Sequence, residues 1–296
     1  MVRPLVPAIR REPEAVVEPR GDVAALAAMV AAGGAVVLSG AGLSTESGIP
    51  DYRGPTASRR RHAPMTYDAF VTDPAARHRY WARSHAGWRQ IDRARPNDGH
   101  RAVSTLQRAG LLHGVITQNV DGLHQAAGAR DVVELHGALD RVTCLACGTL
   151  HRRAEIAERL RALNPSFDDA AAEAAAVNPD GDVDLPDAVL DGFVMADCPA
   201  CGDGPLKPDV VFFGETVPRP RVRHCSDLVA GARSLVVLGS SLTVMSGLRF
   251  VHAAHRAGLP VGIVTAGPTR AESQATVRLV EPLGEVLDGL VALLRC

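Results

Sequence analysis

Short apolar runs recur along this chain, each ending near a cluster of Gly, Ser, Asn or Thr. They are Ala35–Leu38 (AVVL), Gly114–Thr117 (GVIT), Val132–Leu135 (VVEL), Val210–Phe213 (VVFF), Leu235–Leu238 (LVVL) and Val261–Val264 (VGIV). Apolar throughout and rich in β-branched side chains, they read as strands of a parallel sheet buried on both faces. Helical patterns fit between them: Asp22–Ala32 closed by Gly33–Gly34, Gly99–Ala109 before Gly110, and Gly247–Ala257 before Gly258. A last one, Gly284–Leu294, puts Val286, Leu287, Leu290, Val291 and Leu294 on one face. This alternation predicts an α/β fold with a doubly wound, Rossmann-like parallel sheet.

Two segments interrupt the alternation. Residues 52–98 are rich in Arg and His without a strand signal and are predicted to form the helical part of a smaller domain. Residues 141–206 hold two cysteine pairs, a helical stretch Ala154–Leu163 and the turn-rich NPDGDVDLPD, and are predicted to form a zinc-ribbon part. Residues 21–51, 99–140 and 207–296 are left for the larger, Rossmann-like domain. Residues 1–20 read as a flexible leader, lacking the apolar core of a signal peptide and carrying Glu12, Glu14, Glu18 and four prolines.

Composition narrows the chemistry. Of 296 residues 46% are hydrophobic but only 4% aromatic, so Ala, Val and Leu must fill most of the core. With 32 basic and 33 acidic residues the net charge is −1, which leaves no global field to attract nucleic acid or a membrane. The basic run Arg59–His62 reads as a solvated loop, and no apolar stretch is long enough to span a bilayer. A cytoplasmic chain is expected. Four of its six cysteines form the pairs Cys144/Cys147 and Cys198/Cys201, which in a reducing compartment read as a metal site, with a redox role for one pair as the alternative. Four thiolates around zinc leave no open position, so such a metal is structural. Cys225 and Cys296 stand outside this set.

The candidate ligand-binding residues follow strands. Gly40-Ala41-Gly42 comes directly after the first, where glycines let backbone N–H groups approach a pyrophosphate. Thr45 occupies the place of a third glycine, and no acid follows about twenty residues on to grip a ribose, which counts against a hydride-transfer enzyme. Gln118, Asn119 and Asp121 lie past the carboxyl end of another strand. Two amides and a carboxylate there can orient a ribose, a water and a carboxamide, or can simply cap the next helix. His136 sits between a strand and Gly137; taken singly, a structural histidine is the simpler reading.

The run GAGLSTESGIPDYRG (40–54) resembles the signature of the sirtuins almost letter for letter. So do TQNVDGLH (117–124), ELHG (134–137), the cysteine pairs, KPDVVFFGE (207–215) and GSSL (239–242), in the family's order over residues 22–296. YWAR, LNPSF, NPDGDV, VVFFGETV, SGLRF and GPTR resemble the class II branch, which includes bacterial members and the mitochondrial sirtuin associated with lipoamide removal.

The resemblance implies an NAD-dependent protein-lysine deacylase. His136 would be its general base, with Asn119 also catalytic. NAD would be held by Gly40, Ala41, Gly42, Thr45, Gln118, Asn119 and Asp121, under a loop carrying Asp51, Tyr52 and Arg53. Gly239, Ser240, Ser241, Thr265, Ala266 and Gly267 would hold its adenosine half, with Leu283 touching adenine through backbone. Thr265 stands where many sirtuins carry Asn. His124 would be structural, and Cys144, Cys147, Cys198 and Cys201 would bind one zinc. The substrate peptide would add as a strand along Val211–Glu215, its acyl-lysine entering an apolar tunnel. The acyl oxygen would attack the nicotinamide ribose, His136 would deprotonate a ribose hydroxyl, and nicotinamide, lysine and O-acyl-ADP-ribose would leave. Protein ADP-ribosyl transfer at the same site is the alternative. Tyr80 and Arg83 have the spacing with which some sirtuins bind acidic acyl chains; otherwise they are a helix face packing the small domain. The expected partners are acylated-lysine proteins, not nucleic acid or membrane, and a monomer is expected.

Overall fold

Asp22 starts the first helix, α1 (Val23–Ala31), by accepting a hydrogen bond from Ala25 N at 2.8 Å. Leu26 and Val30 go into the core, and Gly33 and Gly34, both at positive φ, turn the chain into β1 (Ala35–Ser39). The computed structural model describes residues 18–52, 54, 64–167, 171 and 178–296.

Six strands form one sheet: β1, β2 (Leu112–Thr117), β3 (Val132–Glu134), β7 (Ser234–Leu238), β8 (Val261–Val264) and β9 (Val277–Leu279), in the order β3-β2-β1-β7-β8-β9. Every pairing is parallel. β1, β7 and β8 are buried at every position, as their unbroken apolar sequences require. The chain winds outward from β1 one way through β2 and β3, and from β7 the other way through β8 and β9. The carboxyl ends of β1 and β7 are therefore the topological switch point, where open α/β sheets leave a crevice.

One face of the sheet is covered by α1, α4 (Asp98–Arg108) and α10 (Leu283–Leu294), through Leu26, Val103, Leu106, Leu287 and Leu290. The other carries α8 (Arg219–Ala230) and α9 (Met245–Arg256), through Val229, Leu248, Phe250 and Val251. Asn97 caps α4 by accepting from His100 N at 3.1 Å, and its own amide donates to Leu43 O at 2.7 Å, tying the helix to the loop after β1.

A second, smaller body grows from two excursions. It has a three-stranded antiparallel sheet, β5 (Leu150–Arg152), β4 (Gly137–Cys144) and β6 (Leu206–Val210), in that order. Around it lie α2 (Tyr67–Thr72), α3 (Pro74–Arg93), α6 (Arg153–Leu163) and α7 (Asp187–Leu190); α5 (Leu123–Ala126) belongs to the loop after β2. Its core is where the few aromatics gather: Phe70, Tyr80, Trp81, Phe167, Phe193 and Phe212. The buried Arg153 guanidinium stacks 4.6 Å from the Trp81 ring and donates to Ser84 O at 2.9 Å.

Three features differ from the sequence expectation. Val210–Phe213 is not a strand of the parallel sheet. The strand is β6, it belongs to the small sheet, and the chain leaves it after Val210. The buried Lys207 amine, donating to Val210 O at 2.6 Å and paired with Glu215 at 3.0 Å, folds the following residues into a turn. β9 escapes an apolar-run reading because Arg278 is its middle residue. Arg20, the last residue of the expected leader, exchanges backbone hydrogen bonds with Arg278, both 2.8 Å, so that end is tied to the sheet edge. The run Arg59–His62 and residues 1–17 lie outside the described residues. Among the described residues no helix is long and apolar enough to cross a membrane.

Candidate active site

At the switch point the loops after β1 and β7 pack backbone to backbone. Gly42 N donates to Gly239 O at 2.9 Å, and a Cβ on Gly40 would come within 2.7 Å of the Ser240 Cβ. Gly239 itself has φ +63°. The glycines are thus demanded first by the neighbouring loop, and the backbone left bare is what a phosphate could approach. Thr45 Oγ1 donates to Gly42 O at 3.0 Å and fixes the short helical turn that follows.

The loop after β2 closes over this turn. Asn119 Nδ2 donates to Gly40 O at 3.1 Å and to Ser44 Oγ at 3.0 Å. Ser44 Oγ in turn donates to Asp121 Oδ2 at 2.7 Å, and Leu123 N donates to Asp121 Oδ1 at 3.0 Å. Burial pushes the Asp121 carboxyl up, against the lowering effect of those two hydrogen bonds. Gln118 Nε2 donates to Ser240 Oγ at 2.8 Å, joining the two halves of the crevice.

His136 opens the small-sheet excursion. Its Nδ1 lies 3.0 Å from Gln118 O; a carbonyl only accepts, so Nδ1 carries the proton. Nε2 is then the basic nitrogen, 2.8 Å from Ser246 Oγ. Burial holds the pKa of His136 below its ordinary value, with the Gln118 hydrogen bond opposing and Arg221 assisting.

Behind this wall a buried set has no access to the cleft. His124 Nε2 lies 2.8 Å from Ser39 Oγ, which donates to Thr117 Oγ1 at 2.8 Å, and the His124 ring meets His100 edge-on at 5.1 Å. Burial brings His124 down to about 4 and His100 down to about 3, so both are neutral.

One cleft of about 880 Å³ connects these parts. It is lined by Gly40, Ala41, Gly42, Thr45, Asp51, Tyr52, Gln118, Asn119, Asp121, His136, Gly239, Ser240, Ser241, Thr265, Ala266, Gly267 and Leu283. Of the sequence-predicted site residues around the nucleotide, Arg53 lies outside the described residues. The apolar end is built from Ile49, Met65, Val210, Phe212 and Phe213. Neither Tyr80 nor Arg83 is part of the lining. Tyr80 is 2% exposed and packs its ring on Phe70 and Phe212, at 5.4 and 5.0 Å.

The four cysteines converge at the far end of the small sheet. Their Sγ atoms lie within 4.8 Å of one another, with Cys144 to Cys201 at 3.7 Å and Cys147 to Cys198 at 3.8 Å. Tetrahedral zinc at about 2.3 Å from each sulfur needs sulfurs about 3.8 Å apart. The set fits zinc. It contributes no residue to the lining of the cleft, so a zinc there would hold β4 and the Cys198–Cys201 turn together rather than activate water.

A sequence profile described as the Sir2 family matches residues 40–246. The chain belongs to the Sir2 family. It is 60% identical over 266 residues to NAD-dependent protein deacetylase 1 of Streptomyces coelicolor, covering 90% of this chain and 88% of that protein. It is 49% identical over 267 residues to NAD-dependent protein deacetylase 1 of Corynebacterium efficiens, covering 88% and 95%. A solved structure from work on the mechanism and regulation of Sir2 enzymes is similar with TM-score 0.73 and 31% identity, covering 93% of this chain and 98% of that one. A Sir2 complex with a p53 peptide and NAD+ is similar with TM-score 0.67 and 30% identity, covering 87% and 92%.

Within this Sir2 site the structure adds residues that sequence reading passed over. Ser246 and Glu46 line the cleft, and Glu46 accepts a hydrogen bond from Gly284 N at 3.3 Å. Arg278 is 1% exposed and donates to Thr265 O at 2.8 Å and Gly267 O at 2.7 Å, while pairing with Glu272 at 2.9 Å. It clamps the Thr265–Gly267 loop from beneath. A lone arginine between two apolar residues gives no sign of this in the sequence.

Proposed function

We infer that this chain removes acyl groups from protein lysines while consuming NAD, and that His136 is the base. The tautomer of His136 carries this reading. With Nδ1–H on the Gln118 carbonyl, Nε2 faces the cleft as a proton acceptor where the glycine-loop half meets the apolar half. The names of the S. coelicolor and C. efficiens relatives give NAD-dependent protein deacetylation for those proteins, which agrees with this layout and does not favour ADP-ribosyl transfer.

Bound NAD would supply an anomeric carbon at which a weak oxygen nucleophile forms a C–O bond as the C–N bond breaks and nicotinamide leaves. The chain's own residues do the rest. Asn119 has its NH₂ engaged by Gly40 and Ser44, which orients its carbonyl oxygen as an acceptor for a ribose hydroxyl or water. Asp121, neighbouring Gln118 and Asn119 on one loop, places a carboxylate by the same ribose. Gly40–Gly42 and Gly239–Ser241 offer bare backbone to the phosphates, and Thr265–Gly267 and Leu283 hold the adenosine. The peptide lies along Val211–Glu215, and Ile49, Val210 and Phe212 keep water from the acyl-lysine. His136 Nε2 takes the proton of a ribose hydroxyl. Cys144, Cys147, Cys198 and Cys201 hold one structural zinc. The enzyme acts as a cytoplasmic monomer of the class II branch, which light scattering and cell fractionation would check.

The test is mass spectrometry of a reaction with an acetyl-lysine peptide and NAD. Free lysine peptide, nicotinamide and O-acetyl-ADP-ribose in equal amounts are expected. ADP-ribosylated protein with the acetyl group intact, or NAD left unconsumed, would overturn the reading. Repeating it with succinyl, glutaryl, lipoyl and long-chain acyl peptides assigns the preferred acyl group.

A further inference from the structure

The ladder between β4 and β6 begins with Gly137 opposite Val210 and resumes only with Val142 opposite Pro208. In between, β4 turns away, and Leu139 N donates to Val120 O at 2.9 Å in the loop after β2. Backbone therefore ties His136 to the chain beyond β6 at few points, chiefly Val211 N donating to His136 O at 2.8 Å.

Arg141 spans the break. Its Nη2 donates to Glu134 Oε2 at 2.7 Å and its Nε to Asp209 Oδ2 at 3.2 Å. Glu134 precedes His136 by two residues, and Asp209 precedes Val211 by two. One planar guanidinium thus joins the strand end before the histidine to the strand end before the Val211–Gly214 segment. The carboxylates are held from outside as well: Gln125 Nε2 donates to Glu134 at 2.6 Å, and Arg221 stands 3.9 Å from Asp209.

We propose that Arg141 is a positioning residue for the reaction inferred above, keeping His136 in register with the substrate-side segment. The side chain is 30% exposed, so solvent screens part of its attraction and stability is not its main contribution. What it supplies is direction. The fork fixes two carboxylates at once, which a lysine ammonium on a flexible stem cannot do. Beside the broken stretch of ladder, that side-chain bridge adds a second tie to the Val211 N–His136 O hydrogen bond and fixes the angle at which base and peptide segment meet.

The experiment uses the full zinc-loaded chain and its Arg141→Met and Arg141→Lys variants. It measures deacylation kcat, KM for the peptide, nicotinamide exchange into NAD, zinc content and Tm. Arg141→Met is expected to lower deacylation about 10- to 100-fold with a raised peptide KM, as a misplaced reacting group does. Exchange, which precedes the proton transfer at His136, is expected to fall much less. Arg141→Lys is expected to recover part of the loss. Equal loss of exchange and deacylation, the mark of a smaller folded fraction, overturns the proposal, and so do wild-type kinetics in Arg141→Met. A wild-type chain that neither exchanges nor deacylates overturns this proposal and the inferred function together.

Discussion

Nε2 of His136 and the hydroxyl of Ser246 stand 2.8 Å apart, joining the turn between β3 and β4 to the first turn of α9. Because Nδ1 donates to Gln118 O, the serine hydroxyl is the donor and Nε2 the acceptor. The contact stabilises the neutral imidazole, adding to the effect of burial, and a substrate hydroxyl must take the serine's place before its proton can move.

His136→Ala should lower deacylation by about 10²–10⁴-fold, the contribution of a positioned base. Zinc content, Tm and most of the NAD affinity should stay. The working form is neutral, so the rate falls as pH drops through the His136 pKa. Burial sets that value below the ordinary one, and the acid limb of kcat/KM should lie below about pH 6.5. Ser246→Ala removes a bond to the neutral form and should move the limb upward. A limb that stays put in Ser246→Ala, or lies above 7 in the wild type, contradicts the assignment.

Arg278→Met should weaken NAD binding without touching the nucleotide. It strips the Thr265 and Gly267 carbonyls of their donor and leaves Glu272 with Thr269 N alone, costing on the order of 3 kcal/mol of stability. Calorimetric titration with NAD should give a raised Kd in protein that still holds zinc. An unchanged Kd would mean that the loop keeps its shape unaided.

The zinc site exists only when the chain is folded, so metal affinity is folding energy for the small body. Cys198→Ala, which removes a buried ligand, should yield protein with little zinc, a lower Tm and activity lost alongside. Metal analysis of the wild type should find one zinc per chain. Full activity in metal-free protein would refute a structural role.

Acid should destabilise the fold through His100 and His124. Both are neutral in the folded state, at about 3 and about 4, against about 6.5 unfolded. Above the unfolded value neither state binds the proton, so these two groups give no pH dependence there. As pH falls from 6.5 toward 4 the unfolded chain gains protons that the folded one refuses, about 1.4 kcal/mol per pH unit for each histidine. Denaturant melts at pH 7.5, 6 and 5 should show that slope, and His124→Gln should flatten it relative to wild type. Parallel slopes in the two proteins would place the acid sensitivity elsewhere.

Much of the site was legible in the primary structure because its parts follow strand ends. Gly40–Gly42, Gln118–Asp121, Gly239–Ser241 and Thr265–Gly267 each come directly after an apolar run, and a parallel sheet delivers all such segments to one edge. Ser246 and Arg278 were not legible. One lies inside a helix and the other inside a strand, and what each touches is distant in sequence: His136, 110 residues away, and a loop 11 to 13 residues back across a strand pairing.

The order of apolar runs and glycine breaks determined by itself that AVVL, GVIT, LVVL and VGIV are strands of an alternating α/β chain, and each of these runs is buried in the parallel sheet. The paired cysteines likewise marked the four sulfurs that converge into a set able to hold zinc, because a C-x-x-C turn brings two sulfurs together locally. Only the tertiary structure decided which sheet received Val210. An apolar run fits either sheet equally well, and the buried Lys207–Glu215 pair and the pairing of β6 with β4 settle the matter. The protonation of His136 was decided in the same way. A histidine's two nitrogens are alike in sequence, and only the carbonyl of Gln118 on one side and the hydroxyl of Ser246 on the other make Nε2 the proton-accepting nitrogen.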